Sequence, residues 1–121
     1  MISNRCARKS LVTNCNSIIS KNYLRFLVDS NEDTYLINRY VIRHAGNAGL
    51  PDILNTRNFM LEVSNDGKEW SVVDRQYENT LSVTDVDIVP VKARYVRISI
   101  SDSGKDHFAR IADIEIYGCS L

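Results

Sequence analysis

Apolar and polar residues alternate over short runs along most of this chain, with turn-forming residues between the runs. Such alternation predicts half-buried β-strands, because successive strand side chains leave opposite faces of the backbone. Residues 35–44, YLINRYVIRH, put Leu36, Asn38, Tyr40, Ile42 and His44 on one face and Tyr35, Ile37, Arg39, Val41 and Arg43 on the other. A β-bulge would reset that phase. In NFMLEVSNDGKEWSVV, Phe59, Leu61 and Val63 alternate with Met60 and Glu62. SNDG then supplies the residues of a tight hairpin turn, and Trp70 opens the returning strand. ARYVRISIS predicts Val96, Ile98 and Ile100 inward with Arg97 and Ser99 outward, and ARIADIEIYG predicts Ile114 and Ile116 inward against Asp113, Glu115 and Tyr117. Residues 23–28, YLRFLV, read as a central strand.

These patterns define an all-β protein in which two half-buried sheets pack face to face. Helical periodicity is scarce and no internal repeat is present, which favours a sandwich over a propeller or solenoid. A length of 121 residues fits one domain, 1–121, with a single core. Residues 1–20 lack a firm period and read as an irregular N-terminal segment with at most one edge strand; a natural short start and a truncated one are both open.

Charge and cysteine content narrow the function classes. Fifteen basic and fifteen acidic side chains cancel, without a long run of one sign, which argues against a nucleic-acid partner. No stretch approaches the ~20 apolar residues of a membrane-spanning helix, and the N-terminus lacks the apolar centre of a signal peptide. Cys6, Cys15 and Cys119 form no paired metal-binding motif. Three reduced, partly buried thiols are the expectation for them, with a bridge from Cys119 to Cys6 or Cys15 as the alternative. An enzyme would need a nucleophile with its base, paired carboxylates or a metal cluster, and none of the usual motifs occurs.

The remaining candidates are binding residues. Sugars need hydroxyl-pairing donors and acceptors beside a flat apolar face, and loops at one end of a sandwich are suited to supply both. His44 and Asn47 fall in a first such loop, Arg75 and Asn79 in a second, and His107 and Phe108 in a third. Taken singly, each has a plainer reading: His44 as a strand-end residue bonded to a nearby carbonyl, Arg75 as a surface charge, Asn79 as a turn former, and Phe108 as a cap on the core.

Four segments, INRYVIRHAGNAG, NTRNFMLEVSNDGKEWSVVD, ENTLSVTDVDIVPVKARYVRISI and ARIADIEIYG, occur in an order that resembles the discoidin or coagulation-factor type C superfamily. Within it the chain is most similar to bacterial family 32 carbohydrate-binding modules. The resemblance covers about Tyr23 to Gly118. It implies a galactose-binding-domain-like antiparallel jelly-roll β-sandwich, not an enzyme, carried as one module of a larger secreted glycoside hydrolase and acting outside the cell. It further implies a site for terminal galactose or N-acetylgalactosamine built from His44, Arg75 and Asn79, with Phe108 as stacking ring; Asn47, where several relatives carry an aromatic, joins them as a candidate from its loop position. A structural calcium (Ca2+) in many such relatives would fall here to Asp113 and the Ala112 region. The animal discoidin domains suggest an alternative, a protein- or lipid-interaction domain acting through Leu50, Ile53 and Leu54 around Pro51.

Overall fold

The computed structural model describes residues 9–10, 17–19, 23–27, 35–102 and 109–120, with side chains over 35–102 and 110–119. Nine strands lie among the described residues: β1 (Lys9–Ser10), β2 (Ser17–Ile19), β3 (Tyr23–Leu27), β4 (Tyr35–His44), β5 (Asn58–Ser64), β6 (Ser71–Gln76), β7 (Val83–Ala93), β8 (Tyr95–Asp102) and β9 (Ala109–Ser120). They form two sheets, in the orders β1-β9-β4-β7, with β2 also on β9, and β3-β8-β5-β6. Every strand pair is antiparallel. This is the β-sandwich that the alternation predicts.

The core follows from the inward faces. Ile37, Tyr40 and Ile42 of β4 and Ile111, Ile114 and Ile116 of β9 meet Phe59, Leu61 and Val63 of β5 and Val96, Ile98 and Ile100 of β8. Ile37 and Tyr40 cannot share a face under strict alternation. They do so because the register slips between Ile37 and Arg39. On β7, Asp87 pairs with Arg39 and Val91 with Ile37, so residues 88–90 bulge opposite Asn38 alone. Pro90 sits in that bulge on the edge strand, where its missing N–H breaks no ladder bond.

Tyr40 carries a polar group through this core. Its hydroxyl donates to Asp74 Oδ2 on β6, 2.6 Å away, which ties the two sheets together. Burial, followed by the bond to Asp74, pushes the phenol above its usual range. On the outer face of the second sheet, Arg97 makes two bonds to Glu62, at 3.0 and 2.9 Å, and lies over the Trp70 ring. Chiefly through that arginine, the Glu62 carboxyl is held below the usual carboxylate range. On the outer face of the first sheet, Arg39 forks onto Asp85 at 2.8 and 2.7 Å.

The cysteine expectation is corrected at the C-terminal strand. Cys119 is disulfide-bonded, so three reduced thiols are not what the chain holds. Cys6 and Cys15 lie outside the described residues. Spacing alone was a poor guide, since antiparallel pairing brings residues from opposite chain ends together, as Lys9 opposite Gly118 shows.

Candidate functional site

β4 carries His44 to one end of the sandwich, where the chain makes two short 3-10 turns, Ala45–Ala48 and Asp52–Leu54, before entering β5. Gly49 closes the first turn at a φ of 87°, a left-handed conformation that glycine adopts without steric cost. A plain loop was expected here; the turns form because short polar and small residues let backbone groups bond locally, as in Leu54 N–H to Pro51 O at 3.0 Å.

A second loop, residues 77–82, is fastened against the first. His44 N–H donates to Ser82 O at 2.8 Å, and Asn79 N–H donates to Arg57 O at 2.9 Å. Asn55 accepts from Gly46 N–H at 2.7 Å and donates to Ser82 Oγ at 3.4 Å, and Ser82 Oγ donates to Asp52 Oδ1 at 3.2 Å. Asn55 and Thr56 are buried. Backbone amides drawn away from water must find partners, and side-chain amides provide them where no neighbouring strand can. A Cβ on Gly46 would lie 2.3 Å from both Asp52 Oδ1 and Ser82 Oγ, so this network closes directly over a glycine.

The residues singled out in the sequence occupy different positions in this framework. His44 is fully buried, at 0% exposure. Its Nε2 lies 2.8 Å from Thr84 Oγ1 on β7, and its ring is tilted against Phe59 with centroids 5.4 Å apart. Nδ1 is buried without a hydrogen-bond partner among the described residues. Burial lowers the imidazole from its ordinary 6.5 to about 4, so the ring is neutral at physiological pH. The Asn79 amide is likewise engaged within the protein. It donates to Thr56 O at 2.9 Å and Leu81 O at 3.1 Å, and accepts from Leu81 N–H at 3.3 Å.

Asn47 and Arg75 are exposed. Arg75 stands on β6 opposite Met60 and donates to the Tyr77 hydroxyl at 3.4 Å. The Tyr77 ring is 66% exposed. Sequence reasoning passed over Tyr77, although an aromatic beside the Arg75 strand end, in RQYEN, is a legible signal for an exposed platform. His107 and Phe108 lie outside the described residues. The structure therefore brings His44, Asn47 and Asn79 to one end of the sandwich, with Arg75 and Tyr77 on its rim.

Asp113 stands on the outer face of the first sheet, directly opposite Arg43. Arg43 donates to Asp113 Oδ2 at 2.8 Å and also to Glu115, and Glu115 accepts from the Tyr117 hydroxyl at 2.5 Å. The Tyr117 bond, then Arg43, holds the Glu115 carboxyl below the usual carboxylate range. Calcium requires about six to eight oxygen ligands. Among the described residues no three His, Cys, Asp or Glu side chains converge as a metal site, and Asp113 already faces a guanidinium. The described surroundings of Asp113 and Ala112 do not fit the ion. No described helix is long and apolar enough to cross a membrane, which leaves strands unaddressed.

The fold is an antiparallel β-sandwich with two loops joined at one end. The F5/8 type C domain profile matches residues 13–114, and the chain belongs to that family. Among solved structures, the family 32 carbohydrate-binding module of Streptococcus pneumoniae EndoD is similar at a TM-score of 0.71 and 21% identity, over 83% of this chain and 73% of that one. A Clostridium perfringens module, CpGH89CBM32-5, in complex with GalNAc-beta-1,3-galactose, gives 0.61 at 15% identity, over 91% and 93%. Chitosan-binding module 1 from a chitosanase/glucanase of Paenibacillus sp. IK-5 gives 0.60 at 16% identity, over 79% and 67%. No curated protein sequence matches the chain.

Proposed function

We propose that this chain is a noncatalytic carbohydrate-binding domain that recognises terminal galactose or N-acetylgalactosamine-type sugars at the His44 end of the sandwich. In this reading it is a targeting module of a larger secreted glycoside hydrolase. The observation that carries it is the exposed Tyr77 ring with Arg75 bonded beside it. An aromatic face takes the C–H side of a sugar ring, and a guanidinium forks onto vicinal hydroxyls. Asn47, exposed on the neighbouring turn, supplies a further amide.

His44 and Asn79 act as positioning residues. His44 holds β4 to β7 beneath the turns, and Asn79 pins residues 77–82 to the chain entering β5. Support for a sugar ligand comes from the fold shared with the carbohydrate-binding modules of EndoD and CpGH89CBM32-5 and with the chitosan-binding module. The disulfide at Cys119 supports an oxidising, extracellular setting. One shallow site of this kind binds weakly, with Kd on the order of 1 mM, so adhesion would rest on several modules acting together. No calcium at Asp113 belongs to this reading; a rise in Tm when calcium is added to EDTA-treated protein, abolished by Asp113→Asn, would contradict that.

The test is sugar binding by Tyr77→Ala and Arg75→Ala. Each is expected to weaken galactose binding about tenfold, or roughly 1.4 kcal/mol, with an unchanged fold. Unchanged affinity in both variants would remove the proposed rim.

Exposed apolar tips on the same loops favour a second reading, a protein- or lipid-interaction surface. Leu50, Ile53 and Leu81 are all exposed there, whereas Leu54 is half-buried. Ile53→Ser with Leu81→Ser would abolish capture of such a partner and leave galactose binding intact.

A further inference from the structure

The opposite end of the sandwich holds a cavity of about 310 Å³ between the β5–β6 turn and the far part of β7. β5 runs seven residues from Asn58 to Ser64. At ~3.3 Å per residue, the cavity lies roughly 20 Å from the His44 end. Val63 and Val91 give it an apolar side, while Asn65 and Ser71 bring an amide and a hydroxyl. The charges around it are Asp66, Glu69 and Lys92, a net of one negative.

The turn fixes one of these charges in place. Asp66 Oδ1 accepts from Lys68 N–H at 2.8 Å, Glu69 N–H at 2.9 Å and Ser64 Oγ at 3.0 Å. Asp66 is therefore preorganised as a carboxylate, and its Oδ2 is left with no bond to the described residues. Neither the Glu69 carboxylate nor the Lys92 ammonium has an ion-pair partner among the described residues. The cavity is at the small end of ligand sites, which run from ~300 to 1,000 Å³.

We propose that this cavity binds a small hydroxylated amine, an amino sugar with its ammonium free. The ammonium sits against Glu69 and Asp66 Oδ2, the hydroxyls pair with Asn65, Ser71 and Lys92, and the valines cover a C–H face. Two carboxylates against one lysine favour a cation, and the amide and hydroxyl favour a polyol over a simple alkylamine.

The test is an NMR titration of the whole chain with glucosamine below pH 7, using glucose and N-acetylglucosamine as neutral controls. Glucosamine is expected to shift amides of residues 65–71 and 91–92 and to leave 45–48 and 77–82 still. Glu69→Gln, at an exposed position, should weaken that binding about fivefold, and Lys92→Gln should strengthen it about twofold. Equal binding of the neutral sugars at this end, no shifts at 65–71, or indifference to Glu69→Gln would each overturn the proposal. The galactose reading stands or falls on the other end of the molecule, so the two fail separately.

Discussion

The two ends of the sandwich use their polar residues in opposite ways. At the His44 end, the amides of Asn55 and Asn79 and the His44 Nε2 are turned inward to hold two loops together, while the Tyr77 ring, the Asn47 and Arg75 side chains and the tips of Leu50, Ile53 and Leu81 reach solvent. At the β5–β6 end, one oxygen of Asp66 organises the turn, while Glu69 and Lys92 stand exposed around a cavity. Long loops need internal partners for their backbone, and short polar side chains are recruited to supply them. The six residues between β5 and β6 are held by Asp66 Oδ1 and Ser64 Oγ, so the side chains of Glu69 and Lys92 stay available. A residue's chemical type thus says less about binding than whether the backbone has already claimed it.

The largest expected contrast is in pH dependence. The folded protein keeps His44 neutral down to about 4, whereas the unfolded chain takes up that proton near 6.5. Stability from this group is therefore full above about pH 6.5 and lost as pH falls towards 4, by about 3 kcal/mol. Urea unfolding at a series of pH values should show that slope, and His44→Gln should flatten it. Asp66 at the other end has no part in that window, since backbone bonds from Glu69 and Lys68 hold its carboxyl below the usual carboxylate range.

Side-chain removal should rank the ends in the same order. Asn79→Ala strips partners from Thr56 O, Leu81 O and Leu81 N–H, and is expected to cost about 2 kcal/mol in denaturant unfolding. Asp66→Ala should cost less, because Asp66 is exposed and its bonds to Lys68 N–H, Glu69 N–H and Ser64 Oγ are all local to one turn. Glu69→Gln and Tyr77→Ala should each stay within about 0.5 kcal/mol, as exposed positions do. An Asp66→Ala loss larger than that of Asn79→Ala would reverse the comparison.

Most of the fold was legible because inward and outward residues alternate along β5, β8 and β9: Ile98 against Arg97, Ile114 against Asp113. The phase of β4 was legible only up to the possibility of a bulge, since a register slip leaves no mark in local pattern until the partner strand is known. β7 stood out less, with Pro90 and an 85%-exposed Val89 interrupting its alternation. At the candidate site, residue types picked out loops that meet at one end of the sandwich but not what is exposed there. His44 and Asn79 are buried by contacts from Thr84 and Thr56, 40 and 23 residues away, which nothing near them in the chain discloses.

The central claim, sugar recognition at the His44 end, is tested most directly by an amide chemical-shift titration with galactose and N-acetylgalactosamine beside mannose and N-acetylglucosamine. The account predicts saturable shifts confined to residues 45–48 and 75–82, for galactose-type sugars, and abolished in Tyr77→Ala. Absence of shifts there in a folded sample, or shifts that persist without Tyr77 and Arg75, would contradict it.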